Sequence, residues 1–119
     1  MAAHIKFGQQ GEALAAAYLQ QNGFVLLHRN WRFSHYEIDI VAKKDGLLHF
    51  IEIKHRRSWK YGPPEAQVRP KKIKFLLQAA SQFLFLHPEF RNFQLDILAI
   101  CSASPSNPPE YCFIEDVYL

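Results

Sequence analysis

The chain has 119 residues, room for one domain with one substantial core and not for two, so residues 1–119 are read as a single unit. Apolar residues make up 49% of it and include 10 phenylalanines, which excludes a disordered chain. A net charge of +3 and a pI near 9.0 permit an acidic partner without requiring one. No apolar run reaches membrane-spanning length and the N-terminus lacks the apolar segment of a secretory signal, so the expectation is a cytoplasmic protein with no membrane partner. Cys101 and Cys112 have no metal-ligand spacing and read as buried thiols rather than a disulfide.

In chain order, residues 8–22 form the first expected helix, with Leu14, Ala15, Tyr18 and Leu19 on one face and Gly23 as its stop. Glu12 then falls in the first turn, where a carboxylate complements the positive helix end. The alternative is that Glu12 reaches toward the sheet, because Ala15, Ala16 and Leu19 place it beside the apolar face. Residues 24–28 read as a short strand, and Asn30-Trp31-Arg32-Phe33 continues it. Trp31 between Arg29 and Arg32 is read chiefly as a core tryptophan under solvated arginines, with contact to phosphate and base as the alternative.

Residues 36–54 are the stretch on which the rest depends. Glu37-Ile38-Asp39-Ile40-Val41-Ala42 and Leu47-Leu48-His49-Phe50-Ile51-Glu52-Ile53-Lys54 both alternate, and Asp45-Gly46 between them is a strong two-residue hairpin signal. With Lys44 facing Leu47, the register sets Asp39 opposite Glu52 and Glu37 opposite Lys54. Period two puts all four on one face, shared with Leu48 and Phe50. Facing carboxylates repel, and charges on a covered strand need partners. A cation between Asp39 and Glu52 is therefore the sharper reading, and a solvated polar face the blander one.

Beyond Lys54, His55-Arg56-Arg57-Ser58-Trp59-Lys60-Tyr61 interleaves cations with aromatics, as a groove tracking a nucleic-acid strand would, before Gly62-Pro63-Pro64 turns the chain. Pro70 opens the longest helix, whose core stripe is Ile73, Leu76, Leu77, Ala80, Phe83 and Leu84 and which ends near His87-Pro88. Lys71, Lys72 and Lys74 in its first turn suit a passing phosphate chain or, equally, an exposed basic turn. Residues 93–100 should form a strand parallel to the Glu52 strand through a right-handed crossover, and 111–114 a terminal edge strand. Asp96 shares a face with Gln94 and Leu98, as a support for the acid site or a polar edge residue.

Asp39 and Glu52 offer the two carboxylates that a hard ion such as Mg²⁺ (or Mn²⁺) takes, with the Ile53 carbonyl as a further oxygen. Such an ion would polarise a phosphodiester and make a bound water acidic, and Lys54 could orient that water or stabilise the growing charge. Glu37 would support the ligands, serve a second ion or pair with Lys54. The six histidines show no i, i+4 pair, no glycine-rich phosphate loop follows a strand, and Ser58 and Cys101 have no nucleophile context.

The order acid-x-Asp, hairpin, Glu-x-Lys between a leading helix and a crossover helix resembles the PD-(D/E)-x-K nuclease superfamily. Gly11-Glu12, Asn30-Trp31-Arg32, Glu37-Ile38-Asp39, Phe50-Ile51-Glu52-Ile53-Lys54 and Arg56-Arg57 more closely resemble the YraN-like family of small bacterial proteins. The resemblance implies an α/β, restriction-endonuclease-like fold, a central mixed sheet with flanking helices, and Glu12, Asp39, Glu52 and Lys54 at the metal site. Tyr36 stands where that family is expected to carry glycine, and is expected to narrow access to the site. The functional expectation is a metal-dependent endonuclease hydrolysing DNA, with branched or recombination and repair intermediates among its substrates. Arg32, His55, Arg56, Arg57, Lys60, Lys71, Lys72 and Lys74 would contact the nucleic acid. A non-catalytic nucleic-acid-binding module with the same fold is the alternative, and a protein-interaction subunit using Phe85 and Phe90 a weaker one. A homodimer would permit paired cuts, though no residue requires one.

Overall fold

Asp45 and Gly46 both take positive φ, 53° and 78°, the backbone of a two-residue turn whose twist matches its flanking strands. In the computed structural model, which describes residues 2–117, that turn joins β2 (Tyr36–Lys44) to β3 (Leu47–Arg56). Their ladder runs from Lys44–Leu47 to Ile40–Ile51 in the expected register. The remaining elements are α1 (Ala2–Gln21), β1 (Val25–Phe33), a 3-10 turn at Pro64–Gln67, α2 (Pro70–Leu86), β4 (Phe93–Cys101) and β5 (Glu110–Ile114).

The five strands lie in chain order, β1-β2-β3-β4-β5. All neighbours are antiparallel except β3 and β4, which run parallel as a helical crossover requires. This mixed sheet with a helix on each face is the expected α/β class. One face packs under α2, where Ile73, Leu76, Ala79, Ala80 and Phe83 meet Val41, Leu48, Phe50, Leu95 and Ile97. The other packs under α1, where Ala15 and Leu19 meet Ile40, Ala42, Ile51, Leu98 and Ile100. Strand alternation divides β3 between the two cores, so both of its faces are covered, as its double apolar pattern implied. Ile38 is the exception to the alternation, joining the α2 core while Ile40 joins the α1 core.

Three expectations need correction. The first helix starts at Ala2, so Glu12 lies in mid-helix, where the helix-end explanation of its charge no longer applies. Asp96 is no edge residue: it is fully buried on a central strand. Phe90 packs against the α2 core, whereas Phe85 is 80% exposed. Trp31 does pack on that core, edge-on to Phe83 at 5.3 Å. Cys101 is a buried free thiol and Cys112 a half-buried one. No helix among the described residues is long and apolar enough to cross a membrane.

Candidate acid cleft

The β2–β3 ladder stops at Ile40–Ile51, and just beyond it the Ile53 N–H donates to Asp39 Oδ2 at 2.9 Å. A side chain thus takes over from the backbone where the two strands part. Glu37 and Asp39 of β2, Glu52 of β3 and Lys72, Phe75 and Leu76 of α2 line a cleft of about 170 Å³ at this place. Glu52 and Asp39 share that cleft on the α2 side of the sheet, as the register required.

Glu12 comes from the other layer. Gly11 makes this possible, because a Cβ there would lie 2.7 Å from His55 Cβ, so α1 can sit this close to β3 only without a side chain. Asn30, in the left-handed region at φ 55°, points its amide at Glu12 Oε2, 3.4 Å away. Asp39 registers the result. Burial pushes its carboxyl up to about 6, the Ile53 N–H opposes that, and the charges of Glu52, Glu37 and Glu12 raise it further. Glu37, Asp39 and Glu52 thus share the cleft, and Glu12, from the other layer, is near enough for its charge to act on Asp39.

Lys54 Nζ pairs with Glu52 Oε1 at 3.3 Å, both largely buried, rather than with Glu37. Glu37 meets Arg32 Nη2 instead, a solvent-exposed contact of 3.4 Å. The oxygen-only character of the acids suits a hard divalent ion, and Glu52 is the carboxylate that Lys54 pairs with.

The basic residues divide. Lys71, Lys72 and Lys74 are exposed beside the cleft, and Lys72 lines it. Arg57 lies over the Phe7 ring at 4.3 Å and Lys60 over Tyr61 at 5.7 Å. Arg56 donates to the His55 carbonyl at 3.0 Å. His55 turns inward: Nδ1 donates to the Phe7 carbonyl at 2.8 Å, Nε2 lies 2.8 Å from Ser102 Oγ, and the ring stacks on Phe7. Burial, then the charges of Arg57 and Arg56, hold that ring below the ordinary histidine range, with the Phe7 carbonyl opposing. Its part is to anchor α1 to β3.

A second group lies on the α1 side. His49, Asp96 and Glu115 place ligand-type atoms within 4.8 Å of one another. Asp96 Oδ2 takes a 2.6 Å bond from His49 Nδ1, while Oδ1 accepts from Gln94 Nε2 at 2.8 Å and from the Asp116 N–H at 2.9 Å. Three donors satisfy this buried carboxylate, and the Val117 N–H bonds Leu95 O beside it, so the group clamps residues 115–117 to β4. Sequence reading missed it because His49 and Asp96 are 47 residues apart. Gly11, Asn30 and Phe75 were also missed as site residues, although Gly11 and Asn30 both belong to the motifs that carry the family resemblance.

Fold and site define an α/β protein with an acid cleft at the point where its central hairpin opens. The chain belongs to the family described as "Uncharacterised protein family UPF0102", whose model matches residues 11–100. It is 38% identical to a UPF0102 protein of Flavobacterium johnsoniae over 104 residues, covering 84% of this chain and 85% of that one. A Chlorobium phaeobacteroides UPF0102 protein is 44% identical over 94 residues, covering 78% and 74%. One from Chloroherpeton thalassium is 34% identical over 125 residues, covering 99% and 97%. The matched span holds every acid of the cleft.

Proposed function

We propose that this protein is a cytoplasmic, divalent-metal-dependent endonuclease of the PD-(D/E)-x-K type, with a restriction-endonuclease-like fold, hydrolysing DNA phosphodiesters. Branched and repair intermediates are included among its substrates. One observation carries the reading: the Asp39 carboxylate, fixed by the Ile53 N–H at 2.9 Å, shares one cleft with Glu37 and Glu52, and Lys54 pairs with Glu52 at 3.3 Å beside it. Acids crowded in this way oppose folding unless a cation is shared between them, and such crowding is typical of sites built to work.

Asp39, Glu52 and the Ile53 carbonyl would hold Mg²⁺ or Mn²⁺, with Glu37 and Glu12 as outer carboxylates. Bound there, the ion would polarise the phosphodiester and lower the pKa of an attacking water. The chain's own residues do the remainder. The Ile53 N–H fixes the Asp39 carboxylate, and Glu52 holds Lys54 at 3.3 Å beside the cleft. Lys54, a compact charge, then steadies the negative charge growing on the phosphate or orients the water. Arg32, Arg57, Lys60, Lys71, Lys72 and Lys74 hold flanking phosphates. A two-fold dimer would set two such clefts against two strands.

The test is Mg²⁺- or Mn²⁺-dependent cleavage of duplex, single-stranded and branched DNA. Cleavage abolished by Asp39→Asn and by Lys54→Ala is the expected result. Well-folded protein that binds DNA salt-dependently, cuts none of these and binds equally well as Asp39→Asn would instead be a non-catalytic binding module.

A further inference from the structure

Phe75 does not belong to the buried stripe of α2. Ile73, Leu76, Ala79, Ala80 and Phe83 fill that stripe, and Phe75 is left 40% exposed. One exposed phenylalanine is ordinary; its position is not. Lys72, Phe75 and Leu76, at i, i+3 and i+4, face the acid cleft. Lys71, Lys74, Phe75 and Gln78 share the next face, and with Arg69 and Lys72 they line an open groove of about 540 Å³. Phe75 and Lys72 thus form the sill between a cationic groove and the acid cleft of Glu37, Asp39 and Glu52.

Two more rings extend the sill. Tyr36 lies 6.1 Å from Phe75 and His35 lies 6.3 Å from it, while His35 and Tyr36 are 4.3 Å apart. Tyr36 is anchored on the α2 core, which fixes the group to the start of β2, one residue before Glu37.

We infer that this shelf of rings stacks an unpaired base of the strand whose phosphates follow Arg69, Lys71, Lys72 and Lys74. The site would then select nucleic acid that is single-stranded or frayed at the cleft over continuous duplex. The inference rests on the nucleic-acid reading of the acid cleft. Cations alone would serve any phosphate chain, and a continuous duplex presents base edges in its grooves, not base faces. Exposed rings between the cations and the acids add affinity only where a base face is free, and every base has one.

The experiment measures binding by fluorescence anisotropy in an Asp39→Asn background with Mg²⁺ present, so that strands stay whole. Three labelled probes of equal length are used: a single strand, the same strand with abasic positions at its centre, and a blunt duplex. Phe75→Ala, checked for folding by circular dichroism, should weaken the base-bearing single strand about 5- to 150-fold. It should change the abasic strand and the duplex less than about twofold. Phe75→Tyr should restore single-strand binding, because it returns a ring. Equal loss on all three probes, or none on the single strand, overturns the shelf while leaving the cleft reading in place. No binding of any probe would remove both.

Discussion

Replacing Asp39 by Asn keeps an acceptor for the Ile53 N–H at 2.9 Å and removes the charge that the fold opposes. Burial and the neighbouring acids raise this carboxyl from 3.8 to about 6, so the folded protein holds a proton that the unfolded chain gives up. Between about pH 4 and 6 the folded state therefore binds more protons, and stability falls as pH rises through that window and is level above it. The full shift corresponds to about 3 kcal/mol, and partial contact with solvent reduces it, leaving about 1–3 kcal/mol. Asp39→Asn should be more stable than wild type by that amount at pH 7.5, and should lose the decline between pH 4 and 6. Mg²⁺ should restore stability to the wild type and do less for the variant. Urea denaturation followed by Trp31 and Trp59 fluorescence, at intervals from pH 4 to 8, measures all of this. Superimposable pH profiles for the two proteins would show that Asp39 is not a strained acid, and the reasoning built on it would fail.

Lys54→Ala should reduce kcat for DNA cleavage about 10²–10³-fold with folding intact, as expected for loss of one charge-stabilising group; single-turnover kinetics would show it, and an unchanged rate would remove Lys54 from the chemistry. Gly11→Ala would place a Cβ 2.7 Å from His55 Cβ and 2.9 Å from its ring, which is itself bonded to Phe7 and Ser102. The expected loss is about 1–2 kcal/mol, overpacking outweighing the gain in helix propensity, and a stabilised variant would contradict the close approach. Asp96→Ala leaves His49 buried without its partner and frees the Asp116 N–H, so a loss of about 3–5 kcal/mol in urea is expected, and one below about 1 kcal/mol would refute the clamp.

The hairpin could be read from the sequence because its information is local. Asp45-Gly46 specifies the turn, the turn specifies the register, and the register places Asp39 and Glu52 in one cleft. The α2 stripe was equally plain, since 3.6-residue periodicity needs no knowledge of the partner. The misread features depend on what the chain meets in space. Gly8 looked like a helix boundary, yet α1 runs through both Gly8 and Gly11, because the second is needed for contact with His55. His55 looked like one cation in a basic run until Phe7 and Ser102 closed over it. Asp96 was ambiguous because alternation gives a face and not a depth, and only its position between β3 and β5 buries it. The sill at Phe75 lies where two helical faces cross, and neither face alone marks it.

A divalent-cation site built on Asp39 and Glu52 should be visible in calorimetric titration of Mn²⁺ into the protein at pH 7.5. The expected result is saturable binding that disappears in Asp39→Asn and in Glu52→Gln, weakens at pH 5 as Asp39 takes up a proton, and survives in Glu115→Gln on the opposite face. Binding that is indifferent to Asp39 and Glu52, or absent from folded protein, would contradict it.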